Sequence, residues 1–525
     1  MRSAIPVSLL FLVTMVFLPA QPLNASAAGE KKRTLSVREC IDLAVKANPD
    51  IKAALLELKA AQAMVETAEG RFNPFLSSNL NYNRSTRRDF LTEGILDMFK
   101  PTQNNKEIFS QQGVDLKVGV NKYFSTGTSA SLSFEHGWSE YETFVTRETA
   151  PGLYEPGKGY RSIWTTDLRL TLSQSLLKGL GFKANLAQIE AAESYRDQVF
   201  LARVAKVSNV LAKVTRAYWN LVLAREELKI KKNNLDLAKE QERAAKAAFE
   251  VNMVPELSVF QASAAVASRE ELVLLAETSV KEASSALALL LNLPTDVLIV
   301  AKDKPGKGSA SLDTHDAVDM ALKLNPLLKA GRQDVVRRKR LLESKMDKTL
   351  PDLSLFGTIG TTGYANIKGN QNGGDDYSDT WKDLFDQDGL NYGGGLIFTY
   401  PLGNDAAEGE LERAMADYKE ASVRVRQLEA STKSQVESAI RAVETARNRM
   451  VVSRKSRMFA EKRLEAEKAM FELGRNTTRD VLEAQDVLEN ARLSELKAKI
   501  DLERASVTFL DLTGGLLKHL DVSIK

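Results

Sequence analysis

The residues able to do chemistry are few and scattered. Covalent or acid–base catalysis needs a nucleophile, a base and an orienting partner within reach of one another, and no stretch of this chain offers that set. Cys40 is the sole cysteine, and His136, His315 and His519 are the only histidines. Their wide separation argues against a Cys/His metal site, and one cysteine permits no internal disulfide. Lys178-Gly179-Leu180-Gly181-Phe182-Lys183 has the look of a phosphate loop ahead of a helix. It lacks the full glycine spacing, and a strand-to-helix elbow fits it better. Arg337-Arg338-Lys339-Arg340 lies within a helical pattern and reads as a solvated face, as do the interleaved charges of Arg463, Glu465, Glu467 and Lys468. No catalytic residue, cofactor or metal is expected, and an enzyme is the least favoured class.

The bulk properties agree. The chain has 525 residues, 43% hydrophobic and 27% charged, with a formal net charge of +3. That composition excludes a disordered chain, and the charge is too small for a nucleic-acid surface. Residues 1–28 read as an export signal: Arg2 is the positive start, Val7 to Leu18 the apolar core, and Ala25-Ser26-Ala27 the cleavage site. No cysteine follows the site, so no lipoprotein anchor is expected. After the leader there is no run of about 18 apolar residues, so any membrane crossing must use strands.

The elements that must position these residues are dominated by one helix. Ala184 to Asn252 contains neither proline nor glycine, and Val204, Val207, Leu211, Val214, Tyr218, Leu221 and Leu228 recur at spacings of three and four. This is a heptad seam, interrupted once by Arg225. At about 1.5 Å per residue the helix runs on the order of 100 Å and needs a partner of similar length.

An internal repeat supplies one. Leu35 through Ala53 matches Leu312 through Ala330 at eight of nineteen positions, with Asn48-Pro49 falling on Asn325-Pro326 and, at the same shift of 277, Pro74 on Pro351. Phe249-Glu250-Val251-Asn252 likewise resembles Phe471-Glu472-Leu473-Gly474. Each half reads as a short helix, strands, a very long helix, a tight break and a second long helix. In the first half the opening helix spans Ser36 to Glu69, with Ser36 and Glu39 as a capping box. In the second half the long helix covers Ala406 to Leu473, with Val425, Leu428, Val436, Ile440, Val443 and Met450 on one side. Gly474 suits a helix end, Thr477 or Thr478 can cap the next helix, and Asp480 lies near its positive end.

Between Pro74 and Gly181 the period changes to two. Leu76, Leu80 and Tyr82, then Val114 to Val120, Ala130 to Trp138 and Leu168 to Leu172 alternate with polar residues. In the second half Leu353, Leu355 and Ile359, and later Tyr392, Leu396, Phe398 and Tyr400, do the same. Segments of about 9–11 residues with one apolar face and aromatic ends (Tyr123, Phe124, Trp138, Trp164) are the pattern of a membrane β-barrel. Long polar loops at Ser85 to Ser110, Ser139 to Ser162 and Thr362 to Leu390 contrast with a tight turn at Ser125-Thr126-Gly127. Six segments cannot close a channel in lipid, so several copies must share one barrel.

Taken in order, these features resemble the TolC family of outer-membrane efflux proteins. The resemblance rests on the duplicated Asn-Pro helices, the elbows at Gln174-Ser175-Leu176-Leu177 and Tyr400-Pro401-Leu402-Gly403, and the tip Phe471-Glu472-Leu473-Gly474 followed by Asp480-Val481-Leu482-Glu483-Ala484-Gln485. It implies an α+β membrane protein. Long antiparallel coiled-coil hairpins form a periplasmic tunnel, and the amphipathic strands enter a shared trimeric outer-membrane β-barrel. The expected organisation is a first repeat over 29–304, with strands over about 74–175 and a hairpin over about 184–292. A second repeat follows over 305–525, with strands over about 352–401 and a hairpin over about 406–513. The implied function is passive conduction in a tripartite efflux or type I secretion system. The implied partners are two further copies of the chain, outer-membrane lipid, a periplasmic adaptor and an inner-membrane pump, with no nucleic acid. The adaptor-docking tips fall on Leu473, Gly474, Asp480, Val481 and Leu482, and on Val251, Asn252, Ser258, Val259 and Phe260.

The chain departs from the family plan in three places. Asn252 stands for the usual glycine with Pro255 after it, Ser175 stands where the elbow has proline, and the first half has four strand segments instead of two. The hairpin Val114 to Trp138 therefore lies either outside the barrel or within a larger one. The rival reading is a periplasmic or surface coiled-coil scaffold whose strands form a soluble domain. The exported substrate is not legible.

Overall fold

The structure, a computed structural model, describes residues 32–88, 108–151, 153–251, 253–304, 314–368, 376–386, 389–473 and 475–524. The signal segment over 1–28 and the tip residues Asn252 and Gly474 lie outside them.

Helix α1 (Val37–Ala47) begins at the expected capping box, with Ser36 N–H donating to Glu39 Oε2 at 2.6 Å and Glu39 N–H to Ser36 Oγ at 3.3 Å. It does not continue to Glu69. A second helix, α2 (Pro49–Glu69), starts after Asn48, whose backbone is extended at φ −60°, ψ 127°. Proline disfavours helical geometry in the residue before it, and Asn48 caps the new helix by accepting from Asp50 N–H and Ile51 N–H. The apolar period ran through the corner and concealed it.

The long helix α3 (Gly181–Glu250) and its return α4 (Glu256–Leu290) form the first hairpin. After α5 (Thr314–Leu324) and α6 (Pro326–Lys348), α8 (Asp405–Glu472) and α9 (Thr478–Leu512) form the second, and α10 (Leu516–His519) follows. Helix α3 packs against α2, α4, α6 and α9, so the two hairpins lie along one another. The predicted seam is real. Val207, Leu211, Val214, Tyr218 and Leu221 are buried with Cys40, Ile41 and Ala44 of α1 and Leu287 of α4. Arg225 interrupts the seam because its guanidinium donates to the Ala301 carbonyl at 2.6 Å. That carbonyl ends β6 (Leu298–Ala301), which pairs in parallel with β1 (Lys32–Leu35). Four-residue strands are too short to show a period in the sequence.

The remaining strands make one antiparallel sheet: β2 (Phe75–Arg88), β3 (Ile108–Tyr123), β4 (Thr128–Ala150), β5 (Leu153–Ser175), β7 (Asp352–Lys368) and β8 (Leu390–Thr399), in that order. The hairpin over Val114 to Trp138 lies within the sheet, between β2 and β5. All but β8 are longer than expected. Residues 139–162 are not a loop: β4 and β5 stay paired up to Ala150↔Leu153. The apolar alternation stops there while the ladder continues, because ladder hydrogen bonds join main-chain groups and need no apolar face. The Thr362 to Leu390 connection also carries structure, the end of β7 and a short helix, α7 (Tyr377–Phe385). No described helix is long and apolar enough to cross a membrane.

Candidate functional site

The sheet has two unlike faces. Asn81, Asp115, Lys117, Ser131, Ser133, Glu135, Asp167 and Arg169 share one, linked by Asn81 Nδ2 to Asp115 Oδ2 at 2.9 Å and Lys117 to Glu135 at 3.3 Å. The other carries Leu76, Leu80, Tyr82, Leu132, Leu172, Leu355, Ile359, Leu396 and Phe398, all exposed, Leu76 at 71%. A contiguous exposed apolar surface of this size is foreign to a water-soluble domain, and one polar and one apolar face is the pattern of a barrel wall. Among the described residues β2 and β8 each leave one edge unpaired.

Where the wall meets the helices, the sequence 178–183 is an elbow and not a phosphate loop. Gly179 (φ 78°) and Gly181 (φ 77°) take the left-handed turn, and Asn185 Nδ2 donates to both of their carbonyls, at 2.7 and 2.9 Å. The turn between β3 and β4 docks onto it, with Gly181 N–H donating to the Thr126 carbonyl at 3.0 Å. A side chain at Gly127 would place its first carbon 2.2 Å from the Gly179 carbonyl oxygen, so this contact requires a glycine.

The two helical tips differ. At the second, Thr477 caps α9 and Asp480 closes a capping box, donated to by Thr477 N–H at 2.9 Å and Thr477 Oγ1 at 2.6 Å. These bonds hold the Asp480 carboxyl below its usual range. Val481 is fully buried with Leu464, Ala484 and Leu488, so it belongs to the hairpin core; Leu482 is half-buried and Leu473 exposed. At the first tip, Pro255 precedes α4 with no side-chain cap. Val251 and Phe260 are exposed, Ser258 and Val259 half-buried. Met253 and Leu257, which lie outside the tip motif, are exposed as well. Two large apolar residues beside a proline break were a legible signal.

Buried polar ties cross between the hairpins short of the tips. Glu489 on α9 accepts from Lys231 and from Asn234 on α3, with the Glu489 side chain only 8% exposed. Arg269 on α4 donates to Gln485 at 3.0 Å and Asp486 at 2.8 Å on α9. Within the second hairpin, burial raises the Glu495 carboxyl, but hydrogen bonds from Lys499 and Arg457 prevail and hold it below its usual range. Nearer the sheet, burial pushes Asp511 up despite a 2.5 Å hydrogen bond from Ser208. The three arginines of the 337–340 cluster are paired. Asp334 bonds Arg337 at 2.6 Å and Arg338 at 3.0 Å, and Arg340 bonds Glu190 at 3.0 Å, while Lys339 is exposed. Among the described residues no cluster of His, Cys, Asp or Glu could hold a metal ion.

A wall with one apolar and one polar face, continuous with two helical hairpins whose longer helices run about 100 Å, defines a membrane-channel class of protein. Residues 129–293 and 317–515 match the family described as outer membrane efflux protein, and the chain belongs to that family. It is 25% identical over 367 residues to the outer membrane efflux protein BepC of Brucella suis, covering 69% of this chain and 74% of that protein. The solved outer-membrane channel OprN has the same fold at 16% identity, with a TM-score of 0.64 and coverage of 94% of this chain and 96% of that one. The outer membrane protein VceC of Vibrio cholerae is similar at 17% identity and a TM-score of 0.61, covering 91% and 96%.

Proposed function

We propose that three copies of the chain close one barrel in the outer membrane and that their hairpins form a tunnel reaching into the periplasm. The exposed apolar face of the sheet carries this reading, since lipid is the solvent it fits. Strand β2 leaves the helical end of the sheet and β8 returns to it, so the free edges of neighbouring copies meet antiparallel. Six strands from each of three copies give eighteen, a number that leaves an aqueous bore. An unclosed edge in lipid would cost several kcal/mol for each unpaired backbone group. The two halves, 29–304 and 305–525, then contribute unequally to the wall through an internal duplication.

The polar face lines the bore, and no cofactor or reaction is needed for passage. In this reading the duct serves a tripartite efflux or type I secretion system. A periplasmic adaptor and an inner-membrane pump engage the tips, above all Val251, Met253, Leu257, Phe260 and Leu473. Energy and cargo choice come from the pump.

Two measurements test this. Detergent-purified protein is expected to have the mass of a trimer by light scattering, and to give conductance in planar bilayers. A monomer without conductance, released from membranes by carbonate, would instead fit the soluble scaffold.

A further inference from the structure

Helix α7, between β7 and β8, packs on the apolar face of the sheet and not on the polar one. Trp381 stacks on His136 (5.3 Å between centroids) and on Phe134 (6.0 Å), and Tyr377 meets Trp164 edge-on at 4.8 Å. Phe134, His136, Trp164 and Thr166 have the same parity as the exposed leucines below them. The wall is shaped for the helix. On β7 the apolar face runs Leu353, Leu355, Ile359, then turns small at Thr361, Gly363 and Ala365. A side chain at Gly363 would place its first carbon 1.8 Å from the Thr380 carbonyl oxygen, so the helix backbone sits directly on this residue. Ala365, Thr166 and Thr380 are fully buried beneath or within the contact, and Thr361 Oγ1 donates to the Leu384 carbonyl at 2.9 Å.

The height of this contact is informative. Thr166 is nine residues from Ser175, where β5 meets the helices. At about 3.3 Å per residue and a tilt of about 40°, that climb is about 23 Å, close to the roughly 25 Å height of a barrel's apolar band. The helix therefore covers the place where the apolar face gives way to His136 and Thr166. It is itself amphipathic. Thr380 and Leu384 face the wall, whereas Ser378, Lys382 and Asp383 are exposed and Asp379 is half-buried. Phe385, 83% exposed, flanks the apolar side. A polar outer face is unsuited to hydrocarbon and suited to headgroups.

We propose that α7 lies on the outside of the barrel within the polar headgroup layer of the outer leaflet, capping the lipid-facing band. It shields the polar top of the wall from acyl chains, and three copies would form a broken collar that sets how deeply the barrel sits. This rests on the membrane reading above, and its partner is the lipid surface itself.

Labels at single cysteines test it, because Cys40 is fully buried. Full-length protein carrying Phe385→Cys, Ile359→Cys or Ser133→Cys is labelled with a fluorophore. Each variant is reconstituted in phosphatidylcholine vesicles holding a nitroxide either at the headgroup or deep on the acyl chain. The Ile359 site is expected to be quenched by the deep nitroxide and the Ser133 site, in the bore, by neither. The Phe385 site is expected to be quenched several-fold more by the headgroup nitroxide than by the deep one. A Phe385 label quenched by neither, beside a quenched Ile359 label, would place α7 in water and overturn the proposal alone. Deep quenching at Phe385 equal to that at Ile359 would overturn it too. An unquenched Ile359 label would overturn the membrane reading and the proposal with it.

Discussion

Asn48 and Leu290 are joined by a 2.8 Å hydrogen bond from the asparagine amide to the last carbonyl of α4. Asn325 makes the same bond, at 3.0 Å, to Leu512 at the end of α9. Each asparagine also caps its own helix, so one side chain pins two helix ends, once in each half. Replacing either by alanine is expected to cost about 1 kcal/mol for the cap and about 1–3 kcal/mol for the carbonyl left without its donor. Asn48→Asp keeps the cap and loses the donor. Thermal unfolding should therefore rank wild type above Asn48→Asp, and Asn48→Asp above Asn48→Ala.

Glu489 joins the hairpins through Lys231 and Asn234. Glu489→Leu alone leaves a buried ammonium without its counter-charge, at about 3–5 kcal/mol. Adding Lys231→Met should recover most of that loss. Hydrogen exchange over residues 225–240 and 485–493 checks both variants, and equal protection in wild type and the single variant would show that the tie is immaterial.

Asp511 gives a pH dependence. Burial raises its carboxyl above the ordinary value of 3.8, so the protonated form is favoured in the folded state. Its contribution to stability is full below pH 3.8 and is lost as pH rises through the raised folded value. Asp511→Asn should then raise the melting temperature at pH 7 and lose that advantage as pH falls towards 3.8. A constant difference across this range would mean that ionisation is not the cause.

Cys40 is packed against α3, and burial pushes its thiol to about 12. At pH 8 only about one molecule in ten thousand carries the reactive thiolate. Maleimide should label the native protein slowly and the denatured protein at once; rapid native labelling would show that α1 detaches from the helices.

The helices were legible because their cores repeat a simple period over many turns, and even Arg225, which breaks that period, sits where a strand end needs a donor. The Asn48 corner was not, because its apolar residues keep phase across the break. The sheet was legible only where lipid demands alternation. Above that height residues 139–162 looked like a loop, although the backbone ladder, with side-chain ties such as Gln112 to Glu140 and Arg161 to Asn366, holds them as strands. At the tips, motif position suggested that Val481 faces a partner, but only the packing of Ala460 and Leu464 reveals that it faces its own hairpin. Leu473 and Phe260 lie outward as exposed surface, and Met253 and Leu257 were equally visible as apolar residues beside Pro255. Helix α7 escaped notice because its nine residues lie inside a stretch rich in Gly, Asn and Asp that reads as a loop.

The β3–β4 turn is stitched to the elbow where Gly181 N–H donates to Thr126 and Ser175 N–H to Gly127, and this has a mechanical consequence. In the proposed tunnel the junction of wall and helices is a pinned seam, so torque applied at the far tips meets resistance to swivelling there. Any untwisting must be taken up along the shafts of the helices, where the gentle curvature of a long helix makes it cheapest.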